Sequence, residues 1–307
     1  MSSIAEAASA GEQEARTRPV AETRRLSYRR RRVLVRAFRY VVVLLALAFV
    51  LFPIFWIVGS SIKFPGELRS RPPVWIPKNP TLANYRTIMR EKGNLALKNS
   101  VVIGVSATVL SVTIGSLAAY SLSRFRTGGR HLAFWILSQR MMPPIVLVIP
   151  LYLLLTSLGK KIAMFGVDRY PPMIALYTMM NLPFVIWMMR SYFVGVPAEI
   201  EESALVDGSS RWGVIWRITL PLTLPGLIAT ATFAFIFSWT EFLFAVSFTQ
   251  TKAVTMPVVI AGLTGSQGSN WGQGTALACV ATAPVFVLGL LVQKHFVRGL
   301  TLGAVRG

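Results

Sequence analysis

Apolar residues recur in long runs separated by polar connections, and the runs have the length that crosses a bilayer. A hydrocarbon core of about 30 Å needs roughly 20 mostly apolar residues in a helix. Six stretches qualify: 40–62, 101–122, 131–158, 171–192, 221–248 and 275–296. In lipid such runs satisfy their backbone hydrogen bonds only as helices. The expected fold is therefore all-α and integral to a membrane, with about six transmembrane helices. Pro143, Pro144 and Pro150 interrupt the third stretch, which predicts a broken or kinked helix there.

Charge placement orients this pattern. Residues 1–36 read as a disordered basic cytoplasmic tail, and 37–307 as the transmembrane domain. Arg29, Arg30, Arg31, Arg32, Arg36 and Arg39 stand directly before the first apolar run, which places that end, and by alternation the C-terminus, in the cytoplasm. The leader is too long and polar, and the run behind it too long, for a cleavable signal peptide. The segments 123–130, 193–220 and 297–307 then face the cytoplasm too. Their excess of basic residues is modest, because 63–98 on the other side is itself rich in Lys and Arg.

Composition excludes several functions. The chain is 53% hydrophobic and 14% charged, with mean hydropathy +0.56. Its net charge of +20 is densest beside a membrane run, so nucleic acid is not an expected partner, whereas membrane lipid is. Cys279 is the single cysteine, forms no internal disulfide, and reads as a small buried residue. His131 and His295 lack neighbouring Cys or carboxylate ligands, so no metal site is expected. No Walker-type phosphate loop and no catalytic cluster occurs, so the chain is not expected to be an enzyme. A secondary transporter would show repeated halves with midplane carboxylates, and only Glu241 qualifies.

The most informative polar segment joins the fourth and fifth stretches, from Val196 to Pro221. Pro197 suits a helix start, and Glu199, Glu201 and Glu202 occupy the first turns, where the helix dipole favours negative charge. Ile200, Ala204 and Leu205 share one face of this short helix. Gly208 is placed to end it with a positive φ, and Ser209 or Ser210 to cap a second helix. On physics alone, an amphipathic loop resting on headgroups fits equally well.

Glu202, Ser203, Ala204, Gly208, Ile218, Leu220 and Pro221 stand at the spacing of the EAA loop, and the chain resembles the binding-protein-dependent ABC importer permeases. Ser203 replaces the middle alanine of that pattern. Arg140-Met141-Met142-Pro143-Pro144 with Ile149-Pro150-Leu151-Tyr152, Phe237-Ser238-Trp239-Thr240-Glu241-Phe242 and the ending Gly299–Gly307 resemble the carbohydrate-uptake, maltose-transporter type. The resemblance implies a permease subunit in the bacterial cytoplasmic membrane that imports a sugar or sugar-like solute. A non-carbohydrate solute is the alternative. It implies two ATPase subunits, a second homologous permease subunit and an extracytoplasmic solute-binding protein as partners. It implies no cofactor on this chain, with ATP and Mg on the ATPase. The coupling residues it implies are Glu201, Glu202, Ser203, Ala204, Asp207, Gly208 and Arg211.

Arg140 and Glu241 are ionisable groups inside spans, where charge is costly. They line a solute path or gate, form a structural ion pair, or, for Arg140, snorkel to an interface. Tyr152, Tyr177, Asn181, Trp239 and Thr240 supply the aromatic faces and hydrogen-bonding groups that sugars need, and are candidates for the same path, with core packing as the alternative. Gln267, Asn270 and Trp271 lie in a glycine-rich connection that the resemblance aligns with a loop reaching the binding protein; a flexible connector is the plainer reading.

Overall fold

The computed structural model describes residues 34–125, 127–265 and 270–304; the side chains of Arg130 and of 294–304 are outside the description. Residues 1–33 lie outside it, including most of the expected basic tail. The chain divides into a unit ending at Trp56 and a second from Ile57 onward. In the first unit the described residues are helical, the beginning of α1 (Leu34–Ser61), whose apolar window has mean hydropathy 3.0.

The second unit is a helical bundle. Its elements are α2 (Ala83–Arg124), α3 (Gly129–Ser138), α4 (Ile145–Lys161), α5 (Tyr170–Val194), α6 (Ala198–Val206), α7 (Arg211–Leu222), α8 (Leu224–Thr240), α9 (Leu243–Phe248), α10 (Met256–Thr264) and α11 (Trp271–Ala304). Among the described residues of the chain, α1 included, four helices are long and apolar enough to span a membrane by themselves, and up to six spans result if each of two bent pairs counts as one.

The packing of α2 on α5 is the spine of this unit. The buried edge of α2 runs through Gly104, Thr108, Ser111, Gly115 and Ala119, a small-residue seam at helical spacing. Such seams let helices approach closely in lipid, where no hydrophobic force favours burying larger groups. At Gly115 a Cβ would lie 2.6 Å from Cγ1 of Val185 on α5, so only glycine fits. Three apolar clusters fill the remaining space. One joins Ile103, Leu155, Met173 and Phe244, a second Ala119, Val185, Phe193 and Ile215, and a third Ile88, Met256, Val259 and Leu277.

In three places the helices have other bounds than the apolar runs. The helix that contains the second run begins at Ala83, and its early part is held by Asn84, Asn99 and Ser100, buried polar residues with backbone partners. The third breaks between α3 and α4 with a 92° bend. Met142 precedes Pro143 and adopts ψ 126°, since the proline ring excludes the helical region for its predecessor. Pro150, by contrast, sits inside α4 without ending it. The fifth stretch ends at Thr240, and a separate turn of helix, α9, follows. α10 is an element that the sequence pattern did not predict.

Candidate functional site: a carboxylate-anchored helix and the residues around it

α6 begins after Pro197, which serves as its N-cap residue, and Glu199 and Glu201 occupy its first turn. Its end follows a complete Schellman arrangement. Gly208 has φ +88°, its N–H bonds the carbonyl of Leu205 at 3.1 Å, and the N–H of Ser209 bonds that of Ala204 at 3.0 Å. Ser210 then caps α7, its Oγ accepting from the N–H of Gly213 at 3.1 Å. The helix–turn–helix expected from the residues is present.

The apolar face that Ile200, Ala204 and Leu205 share is not the inward one: Ile200 and Leu205 are 43% and 39% exposed and Val206 is 88% exposed. Glu201 is turned inward instead, at 5%. Arg124, at the end of α2, donates to it from Nε at 2.9 Å and from Nη2 at 2.7 Å. Tyr120 on α2 donates at 2.8 Å, and Thr219 in the π-turn of α7 at 2.9 Å. The same Nη2 bonds the carbonyl of Val196. Both carboxylate oxygens are thus filled, and a buried charge is tolerable because it is paired and fully hydrogen-bonded. Burial pushes the Glu201 carboxyl up, but Arg124, Tyr120 and Thr219 together hold it below the usual carboxylate range.

Glu201 therefore clamps α6 to α2 and α7 at once. Glu202, Ser203 and Asp207 stay exposed, as does Arg211, whose guanidinium lies 5.2 Å from the ring of Phe125. Ala204 is half-buried. Sequence reasoning missed Tyr120, Arg124 and Thr219. Only Arg124 carried a signal, as a charge directly closing an apolar run.

The path candidates separate into two groups. Tyr177, Asn181 and Trp239 are buried at 2%, 3% and 4%. Asn181 donates to Ser238 Oγ at 2.8 Å and to the carbonyl of Ala234, tying α5 to α8. The indole N–H of Trp239 donates to the carbonyl of Ala281 at 3.0 Å, tying α8 to α11. Arg140, Tyr152 and Thr240 are exposed. Arg140 does not pair with Glu241: its guanidinium lies 5.2 Å from the ring of Phe184 and 4.6 Å from that of Phe237. Glu241 accepts the N–H groups of Phe244 at 2.9 Å and Ala245 at 3.1 Å, capping α9 where the fifth span breaks. Tyr152 stacks on Phe248 at 6.4 Å. Asn270 precedes α11 and Trp271 opens it, half exposed, while Gln267 lies outside the described residues.

At the other end of α5, Asp168 carries φ +59° and collects four consecutive backbone N–H groups, Gln250 to Ala253, at about 3.0 Å. Burial raises its carboxyl, but these amides outweigh that and bring it down to about 2. Asn99 donates to the carbonyls of Lys252 and Val254, and Tyr170 donates to Asn99. An isolated aspartate in a short connection gives no such signal in sequence.

Residues 111–302 match the family described as "Binding-protein-dependent transport system inner membrane component". The chain belongs to that family. Family members are ABC transporter permease subunits of the inner membrane, and ATP hydrolysis takes place on a partner subunit. The chain is 36% identical over 270 residues to the trehalose transport system permease protein SugB of Mycobacterium tuberculosis, covering 86% of this chain and 95% of that one. It is 33% identical over 260 residues to the sulfoquinovosyl glycerol transport system permease protein SmoH of Agrobacterium fabrum, covering 84% and 89%. Its fold is similar to a chain in a bacterial ABC transporter that imports the acidic polysaccharide alginate, with TM-score 0.68, 21% identity, and 86% and 96% covered.

Proposed function

We propose that this permease imports a sugar or sugar-like solute, with α6 as the coupling helix against a cytosolic ATPase subunit. The carrying observation is the combination of a charge-clamped inner face and an apolar outer one. Glu201 fixes α6 to α2 and α7, while Ile200 and Val206 are exposed to the surroundings. A rigid helix with an unpartnered apolar tip transmits the motion of whatever cleft it enters to the helices it is clamped to. The carbohydrate class rests on the named relatives and on the span-three and span-five motifs.

The assembly we propose has two ATPase subunits, a second permease subunit and an extracytoplasmic solute-binding protein. Both termini are cytoplasmic; this chain holds no cofactor, and ATP and Mg are held by the ATPase. Glu202, Ser203, Ala204, Asp207, Gly208 and Arg211 contribute the docking surface, and Glu201 holds it in place. Arg140, Tyr152, Tyr177, Asn181, Trp239, Thr240 and Glu241 are the path-lining candidates, with burial favouring core packing for Tyr177, Asn181 and Trp239, and Gln267, Asn270 and Trp271 form the loop toward the binding protein.

The test is a cross-link. Val206→Cys in a Cys279→Ala background presents one thiol on α6. A disulfide or short bifunctional link to an ATPase subunit, with uptake of sugar stopped by the link and restored by reduction, is the expected result. A properly inserted chain that never links to an ATPase would remove the coupling role of α6.

A further inference from the structure

A cavity of about 140 Å³ lies between α2, α5, α7 and the first turn of α8. Val112, Phe193, Ile215 and Leu227 wall it with apolar groups, and Leu117 and Trp216, both exposed, leave it open to the surroundings. Such a lining keeps a space of this size dry and receptive to an apolar guest; a cavity of about 150 Å³ lined by Leu, Ile and Phe takes benzene. One polar atom breaks the pattern. Ser116 lines the cavity at 7% exposure, and its Oγ has no hydrogen-bond partner among the described residues. A buried hydroxyl without an acceptor is costly. The guest that suits this space is therefore apolar and carries an acceptor.

Depth identifies that guest. α7 and α8 meet at 80°, so with α8 across the membrane α7 runs along its surface. Tyr120 stands at the level of α7, since it shares Glu201 with Thr219. Ser116 lies one turn below it on α2, about 6 Å deeper, and Val112 about 12 Å deeper. The interfacial layer of a bilayer is about 5–8 Å thick on each side. The free hydroxyl thus sits where headgroup linkages give way to hydrocarbon, and Trp216 is a residue type that anchors at this boundary. The cavity also backs onto the clamp. The ring of Tyr120 is part of its wall while the hydroxyl donates to Glu201, and Thr219 shares its π-turn with Ile215 and Trp216. Two of the three side chains that hold Glu201 therefore lean on whatever fills this space.

We propose that the cavity binds an acyl chain of a membrane phospholipid, whose ester carbonyl accepts from Ser116, and that this lipid steadies the grip on α6. An empty cavity leaves Tyr120 and the π-turn without packing partners on that side. The lipid site stands on the geometry of the cavity; its effect on coupling rests on the reading of α6 above.

The complex of this chain with its co-purifying subunits is placed in phosphatidylcholine nanodiscs, and the probe is phosphatidylcholine with a diazirine near the ester end of one acyl chain. After illumination, adducts should concentrate at Val112, Ser116 and Leu117 rather than at Val105 and Val109, which are exposed on the same helix. An ether-linked probe, which lacks the carbonyl, should label these sites about fivefold less, the net worth of one hydrogen bond, and Ser116→Ala should erase that difference. Leu227→Phe fills the cavity and should abolish the adducts; if it fails to fold, Ser116→Leu fills the same space from α2. Stripping lipid with detergent should raise hydrogen exchange at 198–206, and returning the ester lipid should restore it. Adducts spread evenly along α2, adducts unchanged by filling, or equal labelling by ester and ether probes overturn the lipid site. So does a Leu117→Cys thiol, in a Cys279→Ala background, that cross-links to a second permease subunit, because protein then closes the mouth. Exchange at 198–206 that ignores lipid overturns the steadying role. Loss of the α6 link to the ATPase would remove the effect on coupling and leave the adduct pattern to decide the site.

Discussion

Replacing Glu201 by Gln should loosen α6 without unfolding the bundle. The substitution keeps the side chain's shape but removes the charge that faces Arg124 at 2.7 and 2.9 Å. Both side chains are largely buried, at 7% and 14% exposure, so Arg124 would be left as an uncompensated cation. Breaking one partner of such a pair costs about 3–5 kcal/mol when fully buried, and about 3 kcal/mol is expected given the remaining exposure of Arg124. Arg124→Leu should cost a similar amount, from the opposite orphan. The double variant removes both charges and should cost about 2 kcal/mol less than the sum, because neither orphan remains. In a domain of this size about 3 kcal/mol corresponds to a fall in melting temperature of about 6–12 °C. The assay is a thermal melt of the detergent-solubilised complex for all four species, with hydrogen exchange of 198–206 as the local readout. Additive single effects, or singles under about 1 kcal/mol with α6 protection unchanged, would refute the clamp. The pair also predicts acid sensitivity. The folded carboxyl titrates below its unfolded value, so its contribution is present above about pH 4.3 and lost as pH falls through the folded value.

Other expectations follow from single contacts. Gly208→Ala meets nothing within 4 Å, so its cost is the backbone strain of φ +88°, about 1–2 kcal/mol; it should lower uptake per ATP hydrolysed while insertion is unchanged. Asp168→Asn keeps a residue that tolerates φ +59° but removes the charge from the four amides, and should raise exchange at 250–253; the wild-type contribution should fade as pH drops from about 4 toward about 2. Trp239→Phe removes the bond to Ala281 and should destabilise by about 1 kcal/mol in a melt, with uptake kinetics retained once folded; a selective change in solute preference would instead return Trp239 to the path.

What the sequence made legible was whatever depends on local periodicity or local stereochemistry. The apolar runs located the spans, Pro143-Pro144 the break, and Gly208 with Ser210 the turn of the α6–α7 pair. What it hid depends on distant partners. Hydropathy counts Asn84 and Asn99 against a membrane helix, but it cannot know that backbone carbonyls await their amides. Periodicity grouped Ile200, Ala204 and Leu205 on one face of α6, but nothing local announces that Arg124, 77 positions away, draws Glu201 inward. The indole of Trp239 and the amide of Asn181 suit a sugar by chemistry, yet equally suit interhelical bonding, and here they bond between α5, α8 and α11.

The two carboxylate anchors at opposite ends of α5 have a kinematic consequence. One pins the α6 end through Arg124 and Tyr120 of α2, the other pins the Asp168 end to the connection that Asn99 of α2 also holds. With a glycine-tight seam between the pins, α2 and α5 form a strut that can tilt but cannot slip by a helical turn. Spin labels along that strut should therefore report one unchanging separation through the whole transport cycle, a fixed ruler against which every other helix displacement in the complex can be measured.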